Sequence, residues 1–168
     1  MSLIDSIKSL IWLFSLNVGK IMLKFIINNF LKFFKNLINY ITYKKETLAI
    51  IIKSNYLKKK GINFFTNKKL SQQVAFMSHP KNYLIKPHYH KKIERKINST
   101  TEVLIIINGV LKVNFYSKNK KYLFSKIAKK NDIIILLTGG HGFKIMKKCK
   151  FIEVKQGPYN TKKDKIKF

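Results

Sequence analysis

The chain has 168 residues, with 35 Lys plus Arg against 7 Asp plus Glu and a formal net charge of +28. That length suits one domain of ordinary size with an extension and excludes a machine of several catalytic domains. With 46% hydrophobic and 13% aromatic residues the chain can bury a core, which excludes wholesale disorder.

Nearly all of the positive charge is lysine, and Arg95 is the sole arginine. Recognition of phosphates and base edges usually employs arginine, whose planar fork bonds bidentately where lysine offers a point charge. Lysine here accompanies abundant Ile, Asn, Phe and Tyr, as expected of an AT-rich coding sequence. The charge therefore reads as a solvated surface, with nonspecific attraction to nucleic acid or anionic lipid but no specific nucleic-acid partner. Cys149, the lone cysteine, cannot form an internal disulfide, which fits a reducing, cytoplasmic location. It reads as a small apolar residue entering a strand.

In chain order, residues 1–44 come first as an amphipathic helical extension. Lys20, Lys24, Asn28, Lys32, Asn36 and Asn39 recur at helical spacing and draw one polar stripe along an apolar surface. The pattern predicts one long helix, or two broken near Gly19. The charge-free stretch 9–19 is shorter than the ~20 residues of a spanning helix, and no small-residue cleavage site follows it. Three readings are open: a helix lying on a membrane surface, a helix packed on the domain or on a second subunit, and an upstream extension of the reading frame. The interfacial reading ranks first, with Trp12 and the phenylalanines at the acyl boundary.

Residues 45–168 form the second domain, where short β-type runs alternate with turn signals. Strands are predicted at 48–53, 62–65, 73–77, 83–90, 102–107, 110–116, 122–127, 132–137, 142–146 and 151–155. Asn108-Gly109 has the composition of a two-residue hairpin turn between the fifth and sixth. Many closely spaced strands predict an all-β antiparallel sandwich or barrel.

Within the strand predicted at 83–90, Pro87-His88-Tyr89-His90 places two histidines one residue apart, on the same strand face. Two imidazoles on one wall can share an ion. Downstream, Glu102 opens Val103-Leu104-Ile105-Ile106-Ile107-Asn108-Gly109, and a later strand ends in Thr138-Gly139-Gly140-His141-Gly142. Three imidazoles and a carboxylate from separate strands converge only if the sheet closes on itself. Glu94, beside Arg95, reads as an exposed charge, and His79 as a loop residue.

This arrangement resembles the cupin superfamily: a His-x-His, a Glu with a Gly after six further residues, and a later His after a glycine turn. The resemblance covers about residues 48–168. It is nearest to small single-domain cupins of polysaccharide and nucleotide-sugar biosynthesis, which share the ending Ile152-Glu153-Val154-Lys155-Gln156-Gly157-Pro158-Tyr159. Eleven residues separate His90 from Glu102 where the usual motif has three or four, and Asn131 and Leu137 replace an expected glycine and proline. The resemblance implies a jelly-roll-like β-barrel, a homodimer, and His88, His90, Glu102 and His141 as ligands of a divalent ion such as Fe, Mn, Ni or Zn. It also implies a metal-free alternative, with His88, His90 or His141 as acid/base groups beside a keto group.

Two classes of function are therefore expected. One is a metal- or histidine-dependent enzyme, an isomerase, epimerase or oxygenase, acting on a sugar or small polar metabolite. The other is a non-catalytic module that binds such a ligand.

Overall fold

In a computed structural model of the chain, the residues described are 22, 24–29, 37–56, 60–160 and 164–168. Two compact units are present, Met1–Leu37 and Ile38–Phe168. In the first, residues 24–29 are helical; most of the amphipathic extension expected over 1–44 lies outside the described residues. Among the described residues, no helix is long and apolar enough to cross a membrane.

The second unit is antiparallel and all-β. Its strands are β1 (Ile38–Tyr43), β2 (Glu46–Ile52), β3 (Gly61–Phe64), β4 (Ala75–Ser78), β5 (Glu102–Tyr116), β6 (Tyr122–Lys129), β7 (Ile133–Leu136) and β8 (Gly140–Lys155). The main sheet has the order β1-β2-β7-β5-β6, with β8 on the other side of β5, and β3 pairs with β4 in a separate hairpin.

Besides the joining of 142–146 and 151–155, expected as two strands, into the single strand β8, three local outcomes differ from the sequence reading. The first is β1, which occupies positions expected to continue the helix. Its sequence, INYITY, is β-branched and aromatic, and it pairs with β2 from Ile38↔Ile52 to Tyr43↔Glu46. The turn is Lys44-Lys45, with φ of 45° and 66°, the two left-handed residues that a tight hairpin of this type demands. Neither lysine advertises that conformation.

The second difference is at Asn108-Gly109, which makes no hairpin. β5 continues through it without a break, and the ladder to β8 jumps from Asn108↔Lys150 to Val110↔Lys147. Gly109 has φ +89°, and a Cβ there would overlap the Lys148 carbonyl. The glycine thus serves a bulge, where positive φ and close backbone approach are both needed. The third difference is residues 83–90, which form no strand.

Strands β2 and β7 and the start of β5 (Glu102–Ile106) are buried on both faces, which explains their unbroken apolar runs; beyond the bulge the burial of β5 alternates. One face carries Ile51, Leu104, Ile106, Leu111, Val113, Phe115 and Ile134. The other carries Ile50, Ile52, Val103 and Ile135, packed with Phe65 and Phe76 around the β3–β4 hairpin. The turn before β7 is fixed by buried Asp132, which accepts hydrogen bonds from Lys53 Nζ (2.7 Å), Ser54 N (3.0 Å) and Lys129 N (3.0 Å).

The sheet also curls. Leu136 of β7 lies opposite Glu102, at the start of β5, and Gly140 of β8 lies opposite Tyr116, at its end. A straight strand over that length would hold its ends about 46 Å apart at ~3.3 Å per residue, yet the chain from Leu136 to Gly140 spans at most about 14 Å. β5 must bend back on itself. The curl stops short of closure: among the described residues β8 pairs only with β5, so no closed barrel forms.

Candidate functional site

Glu102 opens β5 in a ladder position flanked by Leu136 of β7 and Lys155 of β8. Such a position buries the side chain, and Glu102 is 5% exposed. His141 arrives differently. The turn before it passes through Gly139, whose φ is +74° and where a Cβ would stand 2.9 Å from the Tyr116 carbonyl. This tight turn feeds β8, which sets His141 opposite Phe115 and therefore on the same face as that core residue. Because β5 curls, that face also carries Glu102.

The two side chains meet. Nε2 of His141 stands 3.0 Å from Oε2 of Glu102, while Oε2 is buried with no donor aligned on it. Lys165 Nζ lies 3.7 Å from the other oxygen, Oε1, and Lys155 pairs with Asp164 at 3.7 Å. The side-chain contact with His141, with the charges of Lys165 and Lys155 behind it, holds the Glu102 carboxyl below the usual carboxylate range, although burial pushes the other way. Glu102 is therefore an anion at neutral pH.

This pair lies in the wall of a cavity of about 860 Å³, bounded by residues 98–100, the 136–142 turn and the segment 164–168. The volume suits a metabolite-sized ligand. Lys118, Lys155, Lys165 and Lys167 line it, against the carboxylates of Glu102 and Asp164, with Lys118 held by Glu46 at 2.7 Å. The balance favours a negatively charged ligand. Tyr116 and Phe168, ring centroids 5.3 Å apart and edge to face, supply an apolar wall.

Of the four residues expected at a metal centre, Glu102 and His141 come together and His88 and His90 stay outside. Both lie in the segment 80–100, exposed at every residue. Their rings touch each other edge to face at 5.3 Å, and Nδ1 of His88 is 3.0 Å from the Lys86 carbonyl. With no ladder to orient 83–90, the alternation that put both imidazoles on one cavity wall has nothing to act on. Among the described residues, no group of three or more His, Cys, Asp or Glu is placed to hold a metal ion.

The remaining candidates sit as follows. Glu94 is exposed, His79 stacks on Tyr83 at 4.2 Å, and Cys149 is half-buried against the core. Sequence reasoning missed Lys155, Lys165, Asp164 and Tyr116. Lys155 and Leu136 follow from Glu102 once the register is known, but the register itself was not legible. No family model, curated protein or solved structure matches this chain.

Proposed function

We propose that the cavity beside Glu102 and His141 binds a small anionic metabolite, such as a phosphate-bearing sugar, and that His141 exchanges a proton with it. The observation that carries this reading is the 3.0 Å approach of His141 to a buried, ionised Glu102 at a lysine-rich cavity. A carboxylate behind an imidazole fixes the ring and stabilises the imidazolium, and imidazole both accepts and donates protons near neutral pH. The reaction class is isomerisation or epimerisation. In isomerisation His141 moves a proton from the hydroxyl-bearing carbon to the neighbouring carbonyl carbon, while the hydroxyl proton passes through water to the former carbonyl oxygen. In epimerisation it removes the proton beside the carbonyl, and water reprotonates the opposite face. Lys155 and Lys165 offset the negative charge of the ligand and of the enolate formed on the way.

The curl of β5 and the glycine turn before His141 support reading this unit as a cupin-like jelly roll. A resident divalent ion does not fit one chain. Glu102 and His141 supply two donors where Fe, Mn, Ni or Zn usually takes at least three, so no step is routed through an ion.

Titrating isotope-labelled protein with glucose 6-phosphate, fructose 6-phosphate and nucleotide-linked keto sugars tests the site. NMR shifts should move at His141, Gly140 and Thr138 and be lost in His141→Ala. Saturating ligand without shifts around the cavity would overturn the reading. Shifts without turnover of any sugar would favour the non-catalytic module.

A further inference from the structure

The segment 80–100 sets six large apolar side chains in water. Every residue of it is exposed, and Tyr83, Leu84, Ile85, Tyr89, Ile93 and Ile97 are between 47% and 87% exposed. Leaving a cluster of that size uncovered is unfavourable and marks an interaction surface. The same segment holds Lys81, Lys86, Lys91, Lys92, Arg95 and Lys96 against one anion, Glu94. Whatever covers the apolar side chains must therefore also carry negative charge.

The local backbone presents the first of these residues. Tyr83 N donates to the Pro80 carbonyl at 3.2 Å, across a turn in which Asn82 has φ 65°. That is the position a type II turn gives to glycine or asparagine. His79 stacks on Tyr83, ring centroids 4.2 Å apart, which steadies the base of the turn. Leu84 and Ile85 follow it, 75% and 56% exposed, and Lys81 and Lys86 stand on either side of the run Tyr83-Leu84-Ile85.

We propose that the segment 80–100 docks on an anionic lipid surface, with Tyr83, Leu84 and Ile85 entering the acyl boundary and the flanking lysines meeting the headgroups. Three consecutive side chains do not share one face of a strand or a helix. A protein groove would cover part of that run, whereas a fluid boundary surrounds all of it. A second copy of this chain, at +28, brings like charge and no attraction of that kind. Nucleic acid is gripped best by arginine and stacked aromatic rings, yet four of the six apolar side chains are aliphatic and five of the six cations are lysine. Lysine suits lipid headgroups, where it adds attraction as a point charge. A lipid partner goes beyond the reading of the cavity and does not depend on it.

The test uses the full chain with Trp12→Phe and Leu84→Trp, so that the sole indole reports from the run itself and binding through residues 1–44 gives no signal. Leu84 is exposed and its replacement is apolar, so the fold and the docking are both kept. Ile85→Trp in the same background repeats the reading from a second position. The probes are vesicles of phosphatidylcholine alone and of phosphatidylcholine mixed with phosphatidylserine, with and without lipid brominated on its acyl chains. Docking predicts a blue-shifted emission, quenched severalfold by brominated lipid, on the mixed vesicles only. Adding Lys81→Gln and Lys86→Gln should weaken that binding by at least about tenfold. Sedimentation with mixed vesicles while the indole stays unshifted and unquenched would overturn the proposal, because another part of the chain then does the binding. Equal quenching on phosphatidylcholine alone, or no binding to either vesicle, would overturn it too. So would a blue shift produced without lipid, by a single-stranded oligonucleotide or by raising the protein concentration, since nucleic acid or a second copy would then be the cover.

Discussion

His141 Nε2 and Glu102 Oε2 lie 3.0 Å apart, although one residue begins β5 and the other faces the opposite end of that strand. The contact exists because β5 curls, so anything that straightens the strand should separate the pair before it unfolds the domain.

Glu102 makes stability depend on pH in a defined direction. Its folded-state pKa is depressed, chiefly by His141 and then by Lys165 and Lys155, so the folded protein binds this proton less readily than the unfolded chain. The stabilisation is complete above the unfolded-state value, about pH 4, and drains away as pH falls through the lower folded value. Urea midpoints should show Glu102→Gln less stable than wild type by about 1–3 kcal/mol at pH 7. The gap should narrow towards pH 3. An equal gap at both pH values would contradict the assignment.

Gly109→Ala should destabilise the sheet by about 2–4 kcal/mol, since it adds a Cβ against the Lys148 carbonyl at a left-handed position. Gly109→Asn, which tolerates positive φ, should not recover the loss, because the overlap persists. Recovery by asparagine in chemical denaturation would show that φ alone matters there.

The Lys44-Lys45 turn invites the opposite change. Both residues sit at positive φ, where asparagine and glycine are at ease. Lys44→Asn with Lys45→Gly should raise stability by about 0.5–1 kcal/mol and lift the melting temperature by a few degrees. A loss of stability would mean that this turn is not of the two-residue type.

How much of this could be read from sequence varies with the range of the cause. The all-β character of residues after 45 was legible from strand-length apolar runs and turn residues. So was the convergence of Glu102 with His141, through the resemblance. Turn chemistry misled in both directions. Asn108-Gly109 is the strongest local hairpin signal in the chain and serves a bulge, whereas Lys44-Lys45 carries no signal and makes the hairpin. In each case pairing partners distant in sequence, β8 for one and β2 for the other, decide the outcome. The same holds for 38–43, whose polar spacing fits a helix until β2 offers a ladder. His88 and His90 show the limit of alternation as a guide: it predicts a shared face only where a neighbouring strand exists.

Asp132 offers a test of the scaffold apart from the site. Its carboxylate accepts from Lys53, Ser54 and Lys129, so Asp132→Ala strands two backbone N–H groups and a lysine. We expect a loss of about 2–4 kcal/mol, with Asp132→Asn recovering part of it. Denaturation curves with an unchanged midpoint for the alanine variant would remove Asp132 as the anchor of this turn.

The most direct test of the central claim is solvent-deuterium incorporation into keto sugar phosphates and nucleotide-linked keto sugars, followed by NMR in D₂O with the full-length protein. Proton transfer by His141 predicts deuterium at the carbon beside the carbonyl with wild type, a rate at least a hundredfold lower in His141→Ala, and a smaller loss in Glu102→Gln, which keeps the imidazole but loses the anion behind it. Incorporation that proceeds equally fast in His141→Ala would contradict the account.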